Sequence, residues 1–139
     1  MGQPVIRAGV AADLPAIAAI ESDVAWPVED YLDYQLDVAV VEEEVVGFLV
    51  TRQLVEGEAE VLNLAIAQSH RRRGLGRMLL ETAFARWPGR WFLEVRESNL
   101  GAHAFYMNMG FHDFGVRPGY YPTEYGKSPE KGIVMEISK

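Results

Sequence analysis

Residues 61–77 read VLNLAIAQSHRRRGLGR, and this stretch decides the fold. It begins with a run of apolar and branched residues that is typical of a strand, and it ends in four arginines around two glycines. Residues 77–87, RMLLETAFARW, continue with apolar residues at helical spacing. Leu75, Leu79 and Ala83 fall on one stripe of that helix. A strand, a glycine-containing loop and an amphipathic helix are therefore predicted in this order.

The loop between this strand and this helix has the composition of an anion-binding site. Gly74 and Gly76 let the backbone approach a bound group closely, and the first N–H groups of a helix have no partner inside it. The helix dipole adds partial positive charge at the same place, which favours phosphate. A solvent-exposed basic cap on a helix is the alternative interpretation. The arginines that would bind several phosphates are Arg71, Arg72, Arg73 and Arg77.

Two common nucleotide-binding motifs do not account for this loop. A phosphate-binding loop of the GxxxxGK[ST] type needs a helix after its last residue, whereas Gly126-Lys127-Ser128 is followed by Pro129. A dinucleotide fingerprint, GxGxxG, needs a third glycine, and none follows Gly76 at that spacing. The phosphate ligand is therefore of another kind.

Length and composition predict one domain over residues 1–139. The chain contains no cysteine, which excludes disulfides, thiolate metal sites and cysteine nucleophiles. The net charge of -7 argues against a nucleic-acid-binding domain, and no apolar run approaches the ~20 residues of a membrane span. Three scattered histidines predict no metal site. We expect a cytoplasmic protein, a monomer or weak dimer, with no nucleic-acid or membrane partner.

The hydrophobic patterns along the chain predict a mixed α/β sheet of about seven strands with about four helices, in the order βααβββαβαββ. Glu42-Glu43-Glu44 is interpreted as the solvated tip of a hairpin. A loop rich in proline, glycine and tyrosine is predicted over residues 117–131 and is expected to be functional. The predicted strands are residues 5–8, 38–41, 45–54, 58–67, 91–95, 111–116 and 133–137. The predicted helices are one capped by Asp13, residues 28–36, the helix after the arginine loop, and residues 100–109 between Asn99 and Gly110.

Two stretches resemble a known enzyme family. Residues 71–76, RRRGLG, resemble the R/Q-x-x-G-x-G/A signature of the GNAT superfamily of acyl-CoA-dependent N-acetyltransferases. Residues 93–111, LEVRESNLGAHAFYMNMGF, resemble the second half of that family's core. Together with GVRPGYYPT at residues 115–123, they are most similar to the RimI-type ribosomal-protein-alanine N-acetyltransferases. The resemblance covers about residues 5–137 and implies the GNAT fold.

This resemblance implies transfer of acetyl from acetyl-CoA to a primary amine, with the N-terminal α-amino group of a protein as the favoured acceptor. A small-molecule amine or a protein lysine is the alternative acceptor. A third possibility is a module that binds acyl-CoA without catalysis, which would predict loss of the catalytic base or acid.

The same resemblance implies roles for individual residues. Glu94 interrupts the apolar run WFLEV and would be the general base. The alternative is that Glu94 only faces solvent or pairs with Arg96. Tyr106 would be the general acid, where core packing is the alternative. Asn99 would cap its helix and also bind the pantetheine arm.

The remaining expected contacts are with the two substrates. Acetyl-CoA would pair its pantetheine amides with the backbone of Leu64, Ala65 and Ile66, next to a bulged or splayed strand. Its pyrophosphate would lie on the arginine loop, from Arg71 through Gly74, Leu75 and Gly76 to Arg77. The acceptor would contact Trp26, Tyr120 and Tyr121.

Overall fold

Seven strands form one mixed sheet with the spatial order β1-β2-β3-β4-β5-β7-β6. The computed structural model describes residues 2–20, 22, 27–121 and 130–139, and of residues 119–121 it describes the backbone. All neighbouring strands are antiparallel except β4 and β5, which run parallel. The strands are β1 (Val5–Ala8), β2 (Gln35–Val41), β3 (Glu44–Val55), β4 (Glu58–Ile66), β5 (Arg90–Arg96), β6 (His112–Tyr121) and β7 (Glu130–Ser138).

In the described residues, three α-helices and three 3₁₀ turns cover the sheet, and the predicted element order is confirmed, with a 3₁₀ turn at the position of the second predicted helix. Helices α2 and α3 supply Leu79 and Tyr106 to one buried cluster, which includes Trp91 of β5. A second cluster, with Ile17 of α1, packs on the other face of the sheet. In the described parts of the chain, no helix is both long and apolar enough to span a membrane. The helices are α1 (Leu14–Ala18), α2 (Leu75–Arg86) and α3 (Leu100–Met109).

The segment that follows α1 differs from its prediction. Residues 28–36 were expected to be a helix, yet a 3₁₀ turn spans Val28–Asp33 and β2 begins at Gln35. The reason is tertiary pairing, because Leu36 pairs with Val50 of β3 and both are buried. Tyr31 lies within this 3₁₀ turn, and its side chain is buried.

Asp13 does not cap α1 with its side chain, contrary to the prediction. Its carboxylate accepts the Val10 N–H at 2.8 Å and two hydrogen bonds from the Arg7 guanidinium at 2.8 and 2.9 Å. The hydrogen bond from Arg7 holds the pKa of Asp13 below its usual value. The side chain therefore fixes the turn before α1 to strand β1.

The turn between β2 and β3 was predicted correctly, whereas the start of the loop between β6 and β7 was not. Glu42 and Glu43 form an exposed turn with φ of 50° and 67°, as predicted for the acidic tip. The loop predicted from residue 117 begins later, because β6 continues to Tyr121, where its backbone pairs with Glu130 of β7. Residues 122–129 of that loop lie outside the described part of the chain.

Candidate active site

Strands β4 and β5 separate along most of their length. They pair only at Glu58 with Arg90, Ala59 with Trp91 and Glu60 with Phe92. Both strands continue past these pairs, to Ile66 and to Arg96. Among the described residues, the facing backbone edges beyond Glu60 and Phe92 carry no ladder pairing. Their N–H and C=O groups can therefore pair with an extended ligand as a strand would.

A β-bulge lies on β4 at the start of this opening. Val50 of β3 pairs with Asn63 and the next residue, Thr51, pairs with Val61, so Leu62 is the extra residue. The bulge shifts the alternation of side chains. Val61 belongs to the core under α2 and α3, whereas Ala65 packs in the cluster on the other face. The family resemblance implied a splayed or bulged strand here, which the sequence alone could not show, and both features are present.

Strand β4 leads directly into the arginine loop. A 3₁₀ turn, Gln68–His70, comes first, and Arg72 and Gly74 then have φ of 64° and 79°. Gly74 is the N-cap of α2 and no side chain caps it, so the first N–H groups of α2 face outward. Arg71 Nε donates to the carbonyl of Ile66 at 3.1 Å, which folds the loop against the end of β4.

The two glycines of this loop have different roles, although both were predicted to let the backbone approach a bound group. Gly74 supplies the left-handed conformation, and apart from its chain neighbours no atom lies within 4 Å of where its Cβ would be. Gly76 is buried, and its Cβ would lie 3.0 Å from Cζ of Phe105 on α3. The Leu75 side chain is buried in the core, so only its backbone is available to a ligand.

Glu94 lies on β5 beyond the last residue that pairs with β4. Trp91, Leu93 and Val95 alternate into the core, which puts Glu94 on the opposite face of the sheet. Its side chain is 18% exposed, and Oε1 lies 3.3 Å from Nε of Arg117 on β6. In the described part of the chain Glu94 does not pair with Arg96, the alternative partner, and Arg96 pairs with Glu130 at 3.3 Å.

Tyr106 is part of the core, as its alternative interpretation held. Its ring packs edge to face against Phe105 and Phe111, at centroid distances of 5.2 and 5.5 Å. Burial raises the pKa of the Tyr106 phenol well above its ordinary value, so it is protonated at neutral pH. Within the described residues the hydroxyl makes no hydrogen bond, and it is not among the fully buried polar atoms without a partner, so it reaches the protein surface.

Asn99 occupies the N-cap of α3, as predicted. Its Oδ1 accepts the Ala102 N–H at 3.1 Å. Of the expected acceptor residues, Trp26 lies outside the described residues, and Tyr120 and Tyr121 form the end of β6. The described residues contain no group of histidine and acidic side chains that could hold a metal ion.

A buried polar network on the Glu94 face was missed from the sequence. Asn63 Nδ2 donates to the Tyr31 hydroxyl at 2.9 Å, and the Ser22 hydroxyl donates to Asn63 Oδ1 at 2.9 Å. Burial raises the pKa of Tyr31, so this hydroxyl is also neutral. The available signal was a single asparagine inside the apolar run VLNLAIA. Arg117 and Gly132, both next to Glu94, were missed as well.

Comparison with known proteins agrees with this geometry. The model of the Acetyltransferase (GNAT) family matches residues 12–111. The [Ribosomal protein bS18]-alanine N-acetyltransferase of Salmonella typhimurium is 38% identical over 113 residues, which cover 78% of this chain and 72% of that protein.

Solved structures show the same fold. The crystal structure of the ribosomal-protein-S18-alanine N-acetyltransferase from Escherichia coli superposes with a TM-score of 0.82 at 29% identity, covering 98% of this chain and 94% of the other. Ard1 from Thermoplasma volcanium gives a TM-score of 0.84 at 25% identity and covers 97% of each chain.

Proposed function

This chain belongs to the GNAT family of acetyltransferases, and we propose that it transfers acetyl from acetyl-CoA to the N-terminal α-amino group of a protein, with alanine as the preferred first residue. The observation that carries the proposal is the opening between β4 and β5. One of its strands ends in the glycine–arginine loop, and the other presents the Glu94 carboxylate. The 38% identity to a ribosomal-protein-alanine N-acetyltransferase supports alanine as the acceptor residue.

The residues on the β4 side fit acetyl-CoA. The unpaired backbone edge over Leu64, Ala65 and Ile66 suits a chain with two amide groups, and the outward N–H groups after Gly74 suit its pyrophosphate. Arg71, Arg72, Arg73 and Arg77 are all exposed around that helix start. When bound, acetyl-CoA supplies the activated acetyl thioester.

Glu94 is the residue that we assign to proton removal. An N-terminal α-amino group has an ordinary pKa of about 7.7–8.0, so a modest base is sufficient near neutral pH. The Glu94 carboxylate is partly buried and accepts that proton directly or through one water molecule. We assign a direct attack of the amine nitrogen on the thioester carbonyl, in which the C–N bond forms and the C–S bond breaks; the chain has no cysteine that could carry the acetyl group instead.

Tyr106 is the residue that we assign to proton donation. A tyrosine keeps its phenolic proton throughout the neutral range, and burial raises the pKa of Tyr106 further. We assign this proton to the departing sulfur. Asn99, which begins the same helix, is assigned a hydrogen bond to the pantetheine arm in addition to its cap.

The acceptor is tested by measuring CoA release with a panel of substrates. The panel contains hexapeptides that begin with alanine, serine or methionine, an N-terminally blocked peptide with one internal lysine, and a small polyamine. We expect kcat/KM for the alanine peptide to exceed that for every lysine or free amine by at least about tenfold, a ratio within the range that pocket contacts supply. A preference for the lysine peptide or the polyamine would establish the alternative acceptor instead.

A further inference from the structure

Glu94 and Arg117 form an ion pair although their strands are not neighbours. Glu94 is on β5 and Arg117 is on β6, and β7 lies between them in the sheet. Adjacent strands are about 4.8 Å apart, so strands two places apart are separated by roughly 10 Å. The two side chains must therefore reach over the backbone of β7 to bring Nε and Oε1 within 3.3 Å.

Gly132 is the residue of β7 at this crossing. It pairs with Arg96 of β5 on one side and with Arg117 of β6 on the other. A Cβ on Gly132 would lie 2.8 Å from Cδ and 2.9 Å from Oε2 of Glu94. The φ of Gly132 is not among the positive values, so its backbone conformation does not require glycine. Space for the Glu94 carboxylate is what requires it.

The other nearby cation has its own partner. Arg96 pairs with Glu130, and Glu130 also accepts the Ser98 N–H at 3.0 Å. These contacts fix the start of β7 to the turn before α3. Arg117 is therefore the cation that meets Glu94, and its side chain is 55% exposed. An ion pair this exposed adds little to stability, so its placement calls for another explanation.

We propose that Arg117 and Gly132 are positioning residues for the Glu94 carboxylate. Gly132 leaves the gap in which the carboxylate lies, and Arg117 holds one of its oxygens from the far side of that gap. The carboxylate is thereby kept in one orientation. This inference rests on the proposed function, in which Glu94 accepts the proton of the amine.

The first test compares Arg117→Gln with Arg117→Lys and with a matched control, Arg90→Gln. Arg90 pairs with Glu136 on the same sheet and is 44% exposed, but it lies at the opposite end of β5. We expect Arg117→Gln to lower kcat about tenfold without changing the KM for acetyl-CoA. This loss is smaller than the rate enhancement that a positioned base usually contributes, because the base itself is still present. Arg117→Lys should recover most of kcat, and Arg90→Gln should behave as the unaltered enzyme. Full kcat in Arg117→Gln would overturn the proposal.

A double substitution separates positioning from a general structural role. If Arg117 acts through Glu94, adding Arg117→Gln to Glu94→Gln should lower kcat by less than about twofold further, because the group that it positions is already lost. A full additive loss would show that Arg117 acts elsewhere and would overturn the proposal. Full turnover in Glu94→Gln alone would instead contradict the assignment of Glu94 as the base, on which the positioning role depends.

Gly132→Ala tests the gap without removing any charge. The new methyl group should displace the end of the Glu94 side chain, which is flexible, while the fold is retained. We expect kcat to fall about as much as in Arg117→Gln, with an unchanged KM for acetyl-CoA and a circular dichroism spectrum of the folded protein. Unchanged kcat in a folded Gly132→Ala variant would contradict the role of the gap.

Discussion

Gly76 at the start of α2 packs against Phe105 of α3, and a Cβ at Gly76 would lie 3.0 Å from the Phe105 ring. The end of α2 that is predicted to bind phosphate is therefore held against the helix that carries Tyr106. This contact links the predicted phosphate site to the predicted proton donor.

The two glycines of the loop should respond differently to substitution. Gly74→Ala places a methyl group at a φ of 79° and should cost about 1–2 kcal/mol, whereas Gly74→Asn should cost less because asparagine adopts this conformation more readily. Gly76→Ala should cost about 1–3 kcal/mol through crowding against Phe105, and asparagine there should be worse than alanine. Urea denaturation of the four variants measures whether alanine or asparagine is the more stable replacement at each position. The same order at both positions would contradict these separate roles.

The arginine loop should contribute to acetyl-CoA binding more than to the chemical step. Arg73→Ala should raise the KM for acetyl-CoA about tenfold with little change in kcat, since charge-assisted contacts to phosphate are among the stronger hydrogen bonds. Arg71→Ala should do the same and also release the loop from Ile66. The control is Arg52→Ala, an exposed arginine whose partner is Glu60.

A truncated donor provides the counter-test for the arginines. With S-acetyl-pantetheine, which has no phosphate, Arg73→Ala and the unaltered enzyme should have equal KM values. A tenfold difference that persisted with this donor would assign Arg73 to something other than phosphate.

The sequence predicted the order of the elements because that order depends on local patterns. Periodicity identified α2 and β5, and the glycines marked the start of α2 and the end of α3. The error at residues 28–36 arose because pairing of Leu36 with β3 outweighed a local helical pattern.

The finer parts of the site depend on relations between distant residues, which a local pattern does not contain. The register shift at Leu62 is visible only once β3 and β4 are paired. The approach of Arg117 to Glu94 needs the strand order β5-β7-β6 and a glycine at the crossing. The glycine in KGIVMEI was the one local signal, since an isolated glycine in a strand marks a close approach.

Tyr106→Phe should separate activity from stability. Within the described residues the hydroxyl makes no hydrogen bond, and it is not among the fully buried polar atoms that lack a partner, so water reaches it. The variant should therefore be about as stable as the unaltered protein, while kcat falls at least about tenfold. Urea denaturation and CoA release measure the two quantities. A large loss of stability would indicate a structural hydrogen bond, and full activity would exclude Tyr106 as the proton donor.

The raised pKa of Tyr106 also predicts how stability depends on pH. The folded protein retains the phenolic proton at a pH where the unfolded chain, with an ordinary tyrosine pKa of about 10, releases it. This contribution is present in full below pH 10 or so and is lost as the pH rises further. Above that pH the free energy of unfolding should fall faster in the unaltered protein than in Tyr106→Phe. Tyr31 is common to both proteins, so its contribution cancels, and parallel curves would contradict the assignment.

The buried ion pair between β2 and α2 gives the largest expected effect on stability. Asp37 is 1% exposed and accepts two hydrogen bonds from Arg86, at 2.8 and 2.9 Å. Arg86→Met removes the cation and leaves a buried carboxylate without its charge partner, which should cost about 3–5 kcal/mol.

Asp37→Val combined with Arg86→Met removes both charges and should recover a substantial part of that loss. Arg52→Gln, which breaks an exposed pair, should cost less than about 1 kcal/mol. If the double variant were no more stable than Arg86→Met, desolvation of the unpaired carboxylate would not be the cause of the loss.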